Sequence, residues 1–153
     1  MDEKSRRFVT AARDWLKKKG DHHMEIRYDT ELPTEDSIYE LYENLDWNQY
    51  LQLNKEQLLT AMKQSWYAIY AYHDNRLIGT GRIVSDGMIN AYLCGLGVHT
   101  DYRSNGIGSE IFRLLVEHCK KDNLHLQFFC EEELVPYYEN RNFKVFAVGM
   151  TGA

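Results

Sequence analysis

The sequence predicts an α/β (α+β) fold in which helices flank a mixed, mainly antiparallel central sheet. Three segments of strand-like composition follow one another closely between residues 66 and 98, as they do in an antiparallel meander. A strongly apolar helical pattern comes next at 107–119, and a short apolar segment follows at 124–129. Because a strand, a helix and a strand in succession join parallel neighbours, the second half of the sheet is expected to be mixed.

The chain has 153 residues, which predicts one main domain at 22–153 preceded by a helical extension at 1–21. In the extension, apolar side chains recur at the spacing of one helix face, and three lysines follow at 17–19. This pattern predicts an amphipathic helix over 5–19 with an apolar face formed by Phe8, Ala12, Trp15 and Leu16. We expect this face to dock on the same chain or on a neighbouring subunit, so a homodimer is one expectation.

The first half of the main domain is predicted to contain a strand at 24–28 and two helices. Thr34, followed by two acidic residues, is typical of a helix start. Asn54 begins the second helix, with Gln57 at the position that completes a capping box. The apolar residues of the two helices are Ile38, Leu41, Tyr42, Leu45, Leu58, Leu59 and Met62.

The strands of the meander are separated by two turn signals, the pair Asp74-Asn75 and the tripeptide Ser85-Asp86-Gly87. The helix after the meander has a wide apolar stripe, as expected of a helix that packs on a sheet. The elements predicted from residue 66 onward are strands at 66–72, 77–84 and 88–98, a helix at 107–119, a strand at 124–129, a helix at 131–140 and a strand at 143–148.

The formal net charge of −5 is unevenly distributed. Residues 1–20 contain seven Lys or Arg and three Asp or Glu, a balance of +4, which leaves −9 for the rest of the chain. Since nucleic acid requires a concentrated basic surface, it is not expected as a partner. No segment approaches the roughly 20 apolar residues of a membrane span, and the first twenty residues lack the apolar run of a signal peptide. We therefore expect no membrane association and a cytoplasmic location.

The three cysteines, Cys94, Cys119 and Cys130, are odd in number and lie in apolar stretches. Their spacing matches no zinc-binding pattern, so no metal is expected. The sequence favours buried, reduced thiols.

A turn with two glycines precedes the predicted helix at 107–119, and its sequence, with the residue that follows, is Arg103-Ser104-Asn105-Gly106-Ile107-Gly108-Ser109. Such a turn presents several unpaired backbone N–H groups in one direction, aided by the helix dipole. Gly106 and Gly108 remove side chains that would keep a phosphate away from those donors. Arg103 adds a permanent cation whose fork geometry suits phosphate oxygens. The turn therefore predicts a diphosphate site.

Two other kinds of phosphate loop do not fit this turn. No Lys-Ser/Thr pair follows Gly108, which excludes a P-loop. A dinucleotide fingerprint needs three glycines early in a parallel sheet, whereas here there are two after a meander. A plain turn that only caps the helix is the remaining structural interpretation of the pattern.

The pattern Arg-x-x-Gly-x-Gly at Arg103, Gly106 and Gly108 resembles the signature of the GNAT superfamily of N-acetyltransferases, Gln/Arg-x-x-Gly-x-Gly/Ala. The segment from Pro136 to Phe143 resembles the later family motif Phe-Tyr-x-x-x-Gly-Phe. The resemblance extends from about Glu25 to the C-terminus. Within the superfamily, the segment 84–87 and the small single-domain size look most like aralkylamine or serotonin-type acetyltransferases.

The resemblance implies an acetyl-CoA-dependent transfer of an acetyl group to a primary amine by direct attack in a ternary complex. The amine is then a small molecule or a peptide amine, and no metal is involved. Tyr138 is implied as the general acid that protonates the departing thiolate, with Tyr137 packing elsewhere. The residues implied to bind the coenzyme are Leu96, Gly97, Val98, Arg103, Ser104, Asn105, Gly106, Ile107, Gly108, Ser109 and Tyr138.

Two departures from the family pattern bear on the structure. Asn142 stands where the family has glycine before Phe143, and asparagine tolerates the positive φ that this turn requires. The tail after Phe143 is short, so the sheet edge is expected to be truncated or completed by a partner subunit.

Several alternatives stay open from the sequence alone. Tyr138 can also be an ordinary core aromatic residue. A non-catalytic acyl-CoA-binding module, or a protein-interaction domain that recruits a partner through its N-terminal helix, would fit the same fold. The sequence identifies no general base, and its candidates are Glu131, Glu132, Glu133, His99, His73 and Tyr92.

Overall fold

The computed structural model describes residues 24–152, so the predicted extension at 1–21 and its helix lie outside the described residues. The strands are β1 (Arg27–Asp29), β2 (Tyr67–His73), β3 (Arg76–Ser85), β4 (Asn90–Val98) and β5 (His125–Gln127). The α-helices are α1 (Glu35–Asn44), α2 (Asn48–Leu51), α3 (Lys55–Lys63), α4 (Ile107–Lys121) and α5 (Val135–Glu139). Short 3₁₀ turns span Thr100–Tyr102 and Glu132–Leu134.

The five strands form one sheet in the order β1-β2-β3-β4-β5. The pairings from β1 to β4 are antiparallel, and β4 pairs with β5 in parallel. The predicted mixed, mainly antiparallel sheet is therefore confirmed. Asp74 and Asn75 both have positive φ, 46° and 63°, which identifies the hairpin between β2 and β3 as a type I′ turn.

The predicted starts of α1 and α3 are confirmed by their caps. Thr34 Oγ1 accepts a hydrogen bond from the Ser37 N–H at 3.2 Å, and Asn54 with Gln57 forms the capping box. Helix α2 was not predicted, because its four residues are too few to show a periodicity. It is stabilised by the buried side chain of Asn48, which makes two 3.0 Å hydrogen bonds to the backbone of Leu53.

The core has one cluster on each face of the sheet. Helix α4 packs on one face, where Ile111 and Leu115 are fully buried. Helices α1 and α3 cover the other face, where Ile38 and Leu58 pack against Tyr70 of β2. The alternation of side chains along the strands separates the two clusters, as expected of a sheet buried on both sides.

The predicted strand at 143–148 is wrong, because residues 144–152 contain no regular secondary structure and are exposed. Val145, Phe146 and Val148 are 68%, 59% and 87% exposed. A strand-like composition is not sufficient here, since no strand of the described chain pairs with this segment. The expected sheet truncation fits this outcome, and completion by a partner subunit and the homodimer stay predictions.

The predicted helix at 131–140 is interrupted, and three strands have at least one end that differs from the prediction by more than one residue. Pro136 lacks an N–H group and lies in the first turn of α5, so the helix begins at Val135 after a separate 3₁₀ turn. Strand β4 begins at Asn90 rather than 88, because the Asp86 carboxylate accepts the N–H groups of residues 88 and 89 at 2.8 Å each. Strands β1 and β5 are shorter than predicted.

Candidate active site

The strand that precedes the glycine turn contains a β-bulge. Thr80 pairs with Gly97 and Arg82 pairs with Cys94, so two residues of β4, Gly95 and Leu96, lie opposite a single residue of β3. Gly95 has a φ of +60°, which glycine adopts without steric cost. The bulge bends β4 just before the segment predicted to contact the coenzyme.

Beyond the bulge, one edge of β4 has no neighbouring strand. Its pairing with β5 ends at Tyr92 and Gln127, whereas β4 continues to Val98. The N–H of His99 donates to Ile78 O on β3 at 2.7 Å, so by strand alternation the N–H and C=O of Val98 point to the open edge. The two splayed strands leave a cleft with the Val98 N–H along one wall, whereas the Val98 C=O already accepts one hydrogen bond, from Arg103 Nε at 3.2 Å.

The start of α4 lies at the same cleft. Gly106 is the N-cap residue with a φ of +75°, and Ser104 also has a positive φ of 64°. Within residues 24–152, none of the backbone N–H groups from Ser104 to Ser109 donates to a protein acceptor. A Cβ atom at Gly106 would have no neighbour within 4 Å, so the space in front of these donors is open. The turn is therefore neither occluded nor internally satisfied.

Side chains of the turn fix its conformation. Asn105 Nδ2 donates to the carbonyl oxygens of Tyr102 and Arg103, at 3.0 and 3.1 Å. Arg103 Nε donates to Val98 O at 3.2 Å, which leaves its two Nη groups without a protein acceptor among the described residues. Asn105 is thus engaged with the loop itself, whereas the guanidinium end of Arg103 is free to bind an anion.

The cleft between β4, the turn and α5 has a volume of about 350 Å³. Nine of the predicted coenzyme residues line it: Leu96, Val98, Arg103, Ser104, Gly106, Ile107, Gly108, Ser109 and Tyr138. Gly97 and Asn105 do not. A Cβ at Gly97 would lie 2.6 Å from the Trp47 ring, so this glycine permits close packing of the segment before α2.

Sequence reasoning missed Tyr137, which lines the same cleft. Its hydroxyl lies 2.6 Å from Ser109 Oγ, at the start of α4. The guanidinium of Arg141 lies 3.5 Å from the centre of the Tyr137 ring. Because α5 has only five residues, its periodicity does not show which tyrosines face the cleft; Tyr137 and Tyr138 both do.

A second, larger cavity of about 660 Å³ lies on the other side of β4. It is bounded by α1, α2 and α3, by β3 and β4, and by the segment after β5. Leu96, Leu134 and Tyr138 line both the cavity and the cleft. The two spaces therefore meet at the bulge of β4 and at the Tyr138 side chain.

The Tyr138 ring packs among aromatic side chains. Its centre lies 4.7 Å from that of Phe128 and 5.2 Å from that of Phe112. Burial raises the pKa of the Tyr138 hydroxyl, and the neighbouring Cys130 adds to the rise. The hydroxyl is therefore protonated at neutral pH and makes no hydrogen bond to a described residue, which suits a proton donor.

The structure separates the candidates for a general base by position. Glu131 and Tyr92 line the larger cavity, and Glu132, Glu133, His73 and His99 do not. His99 is buried, with Nδ1 accepting the Asp101 N–H at 3.1 Å and Nε2 lying 3.0 Å from an Arg76 Nη. His73 Nδ1 lies 3.1 Å from the Tyr102 hydroxyl. Both histidines are thus engaged away from the site.

The cysteines are in three different environments. Cys119 is buried, and burial raises the pKa of its thiol to about 11. Cys94 lines the larger cavity, and burial raises its pKa as well, so it is protonated and a poor nucleophile. Cys130 is exposed, which contradicts the prediction of a buried thiol.

Among residues 24–152, no cluster of three or more His, Cys, Asp or Glu side chains is arranged to bind a metal ion. None of the helices described there has the length and apolar character needed to cross a bilayer.

Comparison with known proteins agrees with these features. The profile of the Acetyltransferase (GNAT) family matches residues 24–143. An uncharacterized N-acetyltransferase, ycf52, of Porphyra purpurea is 23% identical over 112 residues, which cover 70% of this chain and 64% of the relative. The chloroplastic GCN5-related N-acetyltransferase 2 of Arabidopsis thaliana is 28% identical over 80 residues, which are 52% of this chain and 31% of the relative.

The fold is also found in a solved structure. A probable acetyltransferase from Staphylococcus aureus superposes with a TM-score of 0.71 at 18% identity, covering 84% of this chain and 99% of that one. The chain itself spans less than two-thirds of the length of the two relatives named above. On the match over 120 residues, the chain belongs to the GNAT acetyltransferase family.

Proposed function

We propose that the protein transfers an acetyl group from acetyl-CoA to a primary amine by direct attack in a ternary complex. The observation that carries the proposal is the row of free N–H groups from Ser104 to Ser109, beside the open edge of β4. Such a row at a helix start binds a diphosphate, and an open strand edge can pair with an amide-bearing arm. Family membership supports acetyl-CoA as the molecule that combines these groups.

The residues that would bind acetyl-CoA follow from the cleft. The N–H groups of the turn and the free Nη groups of Arg103 would bind the diphosphate. The Val98 N–H, and the second lone pair of the Val98 C=O beside its bond to Arg103 Nε, would pair with the pantetheine arm. This pairing would place the thioester near Leu96, where the cleft meets the larger cavity. Backbone donors at the bulge would then stabilise charge on the carbonyl oxygen.

Acetyl-CoA supplies an activated acyl group. The protein's residues would transfer two protons, one to the departing sulfur and one from the amine. The lone pair of a neutral amine attacks the acetyl carbon, the carbon–sulfur bond breaks, and the Tyr138 hydroxyl gives its proton to the departing sulfur. A base takes a proton from the amine, and Glu131 and Tyr92 are the earlier candidates that line the larger cavity. The products are an N-acetyl amine and free coenzyme A, so no acyl-enzyme is needed.

Titration calorimetry with acetyl-CoA tests the binding step. We expect Arg103→Ala to weaken acetyl-CoA binding by about 10- to 100-fold, because a charge-assisted phosphate contact is lost. Arg113→Ala is the matched control, since Arg113 lies exposed on helix α4, which follows the turn, and pairs with Glu110 and Glu117. Equal affinity in both variants and the wild type would contradict the assigned site.

A coupled thiol-release assay against polyamines, arylalkylamines, amino acids and peptides tests the chemical step. Turnover with one class of amine supports the enzyme. Tight acetyl-CoA binding without turnover across the whole panel would instead favour the non-catalytic acyl-CoA-binding module.

A further inference from the structure

The larger cavity contains one cationic side chain among its lining residues, Arg82 of β3. Arg82 lies opposite Cys94 in the sheet register, next to the β4 bulge. A Cβ at Gly95 would lie 3.6 Å from Arg82 Nε and 3.8 Å from its Cγ, so the side chain extends along the floor of the cavity beside the bulge. No motif of the sequence includes Arg82.

The guanidinium of Arg82 is poorly satisfied by the described residues. Its Nε is buried and has no hydrogen-bond partner, and its Nη1 makes one long hydrogen bond, of 3.4 Å, to Ser65 Oγ. The Tyr42 hydroxyl also lies beside the guanidinium, but it is a neutral group. No carboxylate of residues 24–152 lies within ion-pair distance, although Glu131 lines the same cavity. By contrast, the exposed Arg113 pairs with two carboxylates. Arg82 is half-buried, and a partly desolvated cation without an anion is unfavourable, so an arrangement of this kind indicates a place for an anionic group of a ligand.

The charge of Arg82 acts on the groups around the cavity. Burial raises the pKa of Tyr42, Tyr92 and Cys94, and the nearby guanidinium opposes that rise in all three. A positive potential therefore extends across the side of the cavity formed by α1, β3 and β4. An anion placed there would be attracted, and a second cation would be repelled.

Arg82 also lies near the point where the amine must react. Its register partner Cys94 lies two residues before Leu96, with the bulge residue Gly95 between them. Leu96 is where the cavity meets the coenzyme cleft, and the attacking amine must reach this point. An anion bound at Arg82 and an amine at Leu96 would therefore occupy one cavity, as the two groups of a single small molecule can.

We propose that the amine acceptor carries a carboxylate that pairs with Arg82, as in a free amino acid. This inference rests on the proposed acetyl transfer and specifies its substrate class. Trp47, Tyr92 and Phe129 also line the cavity, so an amino acid with an apolar or aromatic side chain fits its walls. The guanidinium fork binds both carboxylate oxygens, which orients the amine toward Leu96 and Tyr138.

The test compares acceptors that differ only in the acidic group. Phenylalanine is measured against 2-phenylethylamine and phenylalanine amide, and leucine against 3-methylbutylamine, in the thiol-release assay with the full chain. We expect kcat/KM to be about 10- to 100-fold higher for each amino acid than for its uncharged partner. Equal rates would overturn the proposal, as would a preference for glucosamine 6-phosphate over the amino acids, which would indicate a phosphate site.

Arg82→Gln separates this role from a general structural one. For amino acids, the kcat/KM of the variant should fall about 10- to 100-fold. For the amines without a carboxylate, its kcat/KM should stay within about 3-fold of the wild-type value. Arg113→Gln is the control and should leave kcat/KM unchanged for both kinds of acceptor. A uniform loss for both kinds of acceptor would overturn the assignment, and circular dichroism establishes that Arg82→Gln is folded.

A binding measurement keeps the proposal testable without turnover. Phenylalanine is titrated into the protein saturated with coenzyme A, and again into Arg82→Gln under the same conditions. Binding that is lost in the variant supports the carboxylate site, and binding that is absent or unchanged overturns it. Failure of the proposed function appears separately, as a lack of acetyl-CoA binding or as a lack of turnover with every acceptor.

Discussion

At the scale of single residues, Tyr138 combines two properties that suit a proton donor. It lines both the cleft and the larger cavity, and its hydroxyl makes no hydrogen bond to a described residue. Burial raises its pKa, so the hydroxyl keeps its proton at neutral pH until the departing thiolate takes it. Its neighbour Tyr137 differs, because its hydroxyl already contacts Ser109 Oγ at 2.6 Å. The two adjacent tyrosines can therefore be distinguished by kinetics.

Tyr138→Phe should lower kcat about 100-fold or more, because general acid catalysis typically contributes that much to the rate. The same substitution should change the affinity for acetyl-CoA by less than about 3-fold. Tyr137→Phe is the matched control, with kcat near that of the wild type and a modest effect on coenzyme binding. Steady-state kinetics and titration calorimetry measure the two quantities. Equal kcat for Tyr138→Phe and the wild type would remove this residue from the reaction.

At the scale of elements, local chemistry made some parts of the fold predictable. The capping box of Asn54 and Gln57 and the turn at Asp74 and Asn75 depend on residues within a few positions of each other, and both are confirmed. The turn at Asn142 is similar, since its predicted positive φ is observed at 66°. The failed strand at 143–148 depends instead on a distant partner, which composition cannot reveal.

The candidate site could be predicted only in part, because only some of its residues belong to a contiguous motif. The glycine turn is a contiguous motif, so its residues could be identified from their spacing. Arg82 and Tyr137 belong to other elements, and they join the site through the β4 bulge and the short helix α5. Both features depend on packing between segments far apart in sequence, and no short pattern signals them.

The start of α4 allows a prediction at the same scale. Gly106→Ala should lower the free energy of unfolding by about 1 kcal/mol, because its φ of +75° disfavours a side chain. The added methyl group would meet no protein atom within 4 Å, so the variant should fold, but at the N-cap of α4 it would reduce the space available to a diphosphate. We therefore expect acetyl-CoA binding to weaken as well.

Gly152→Ala is the control for Gly106→Ala, because it too has open space around the added atom and has no positive φ. For Gly152→Ala, chemical denaturation should show an unchanged free energy of unfolding, and calorimetry should show an unchanged affinity for acetyl-CoA. If Gly106→Ala binds acetyl-CoA as tightly as the wild type, the diphosphate does not lie at this helix start.

At the scale of the whole molecule, the coenzyme cleft lies between the connection from β4 to α4 on one side and helix α5 on the other. Its walls come from β4, the start of α4, the second 3₁₀ turn and α5. Helix α5 has few fixed points, chiefly the aromatic packing of Tyr138 and the contact between Tyr137 and Ser109. A ligand that bridges the two walls should therefore stabilise the folded chain as a unit.

Coenzyme A at about 100 times its Kd should add about 2.7 kcal/mol to the free energy of unfolding, which raises Tm by roughly 5–10 °C for a chain of this size. Pantetheine has the same thiol arm without the diphosphate, so it should leave Tm nearly unchanged at the same concentration. Thermal unfolding followed by circular dichroism measures both shifts. Similar shifts with the two ligands would mean that the arm along β4, rather than the free N–H groups of Ser104–Ser109, supplies the binding energy.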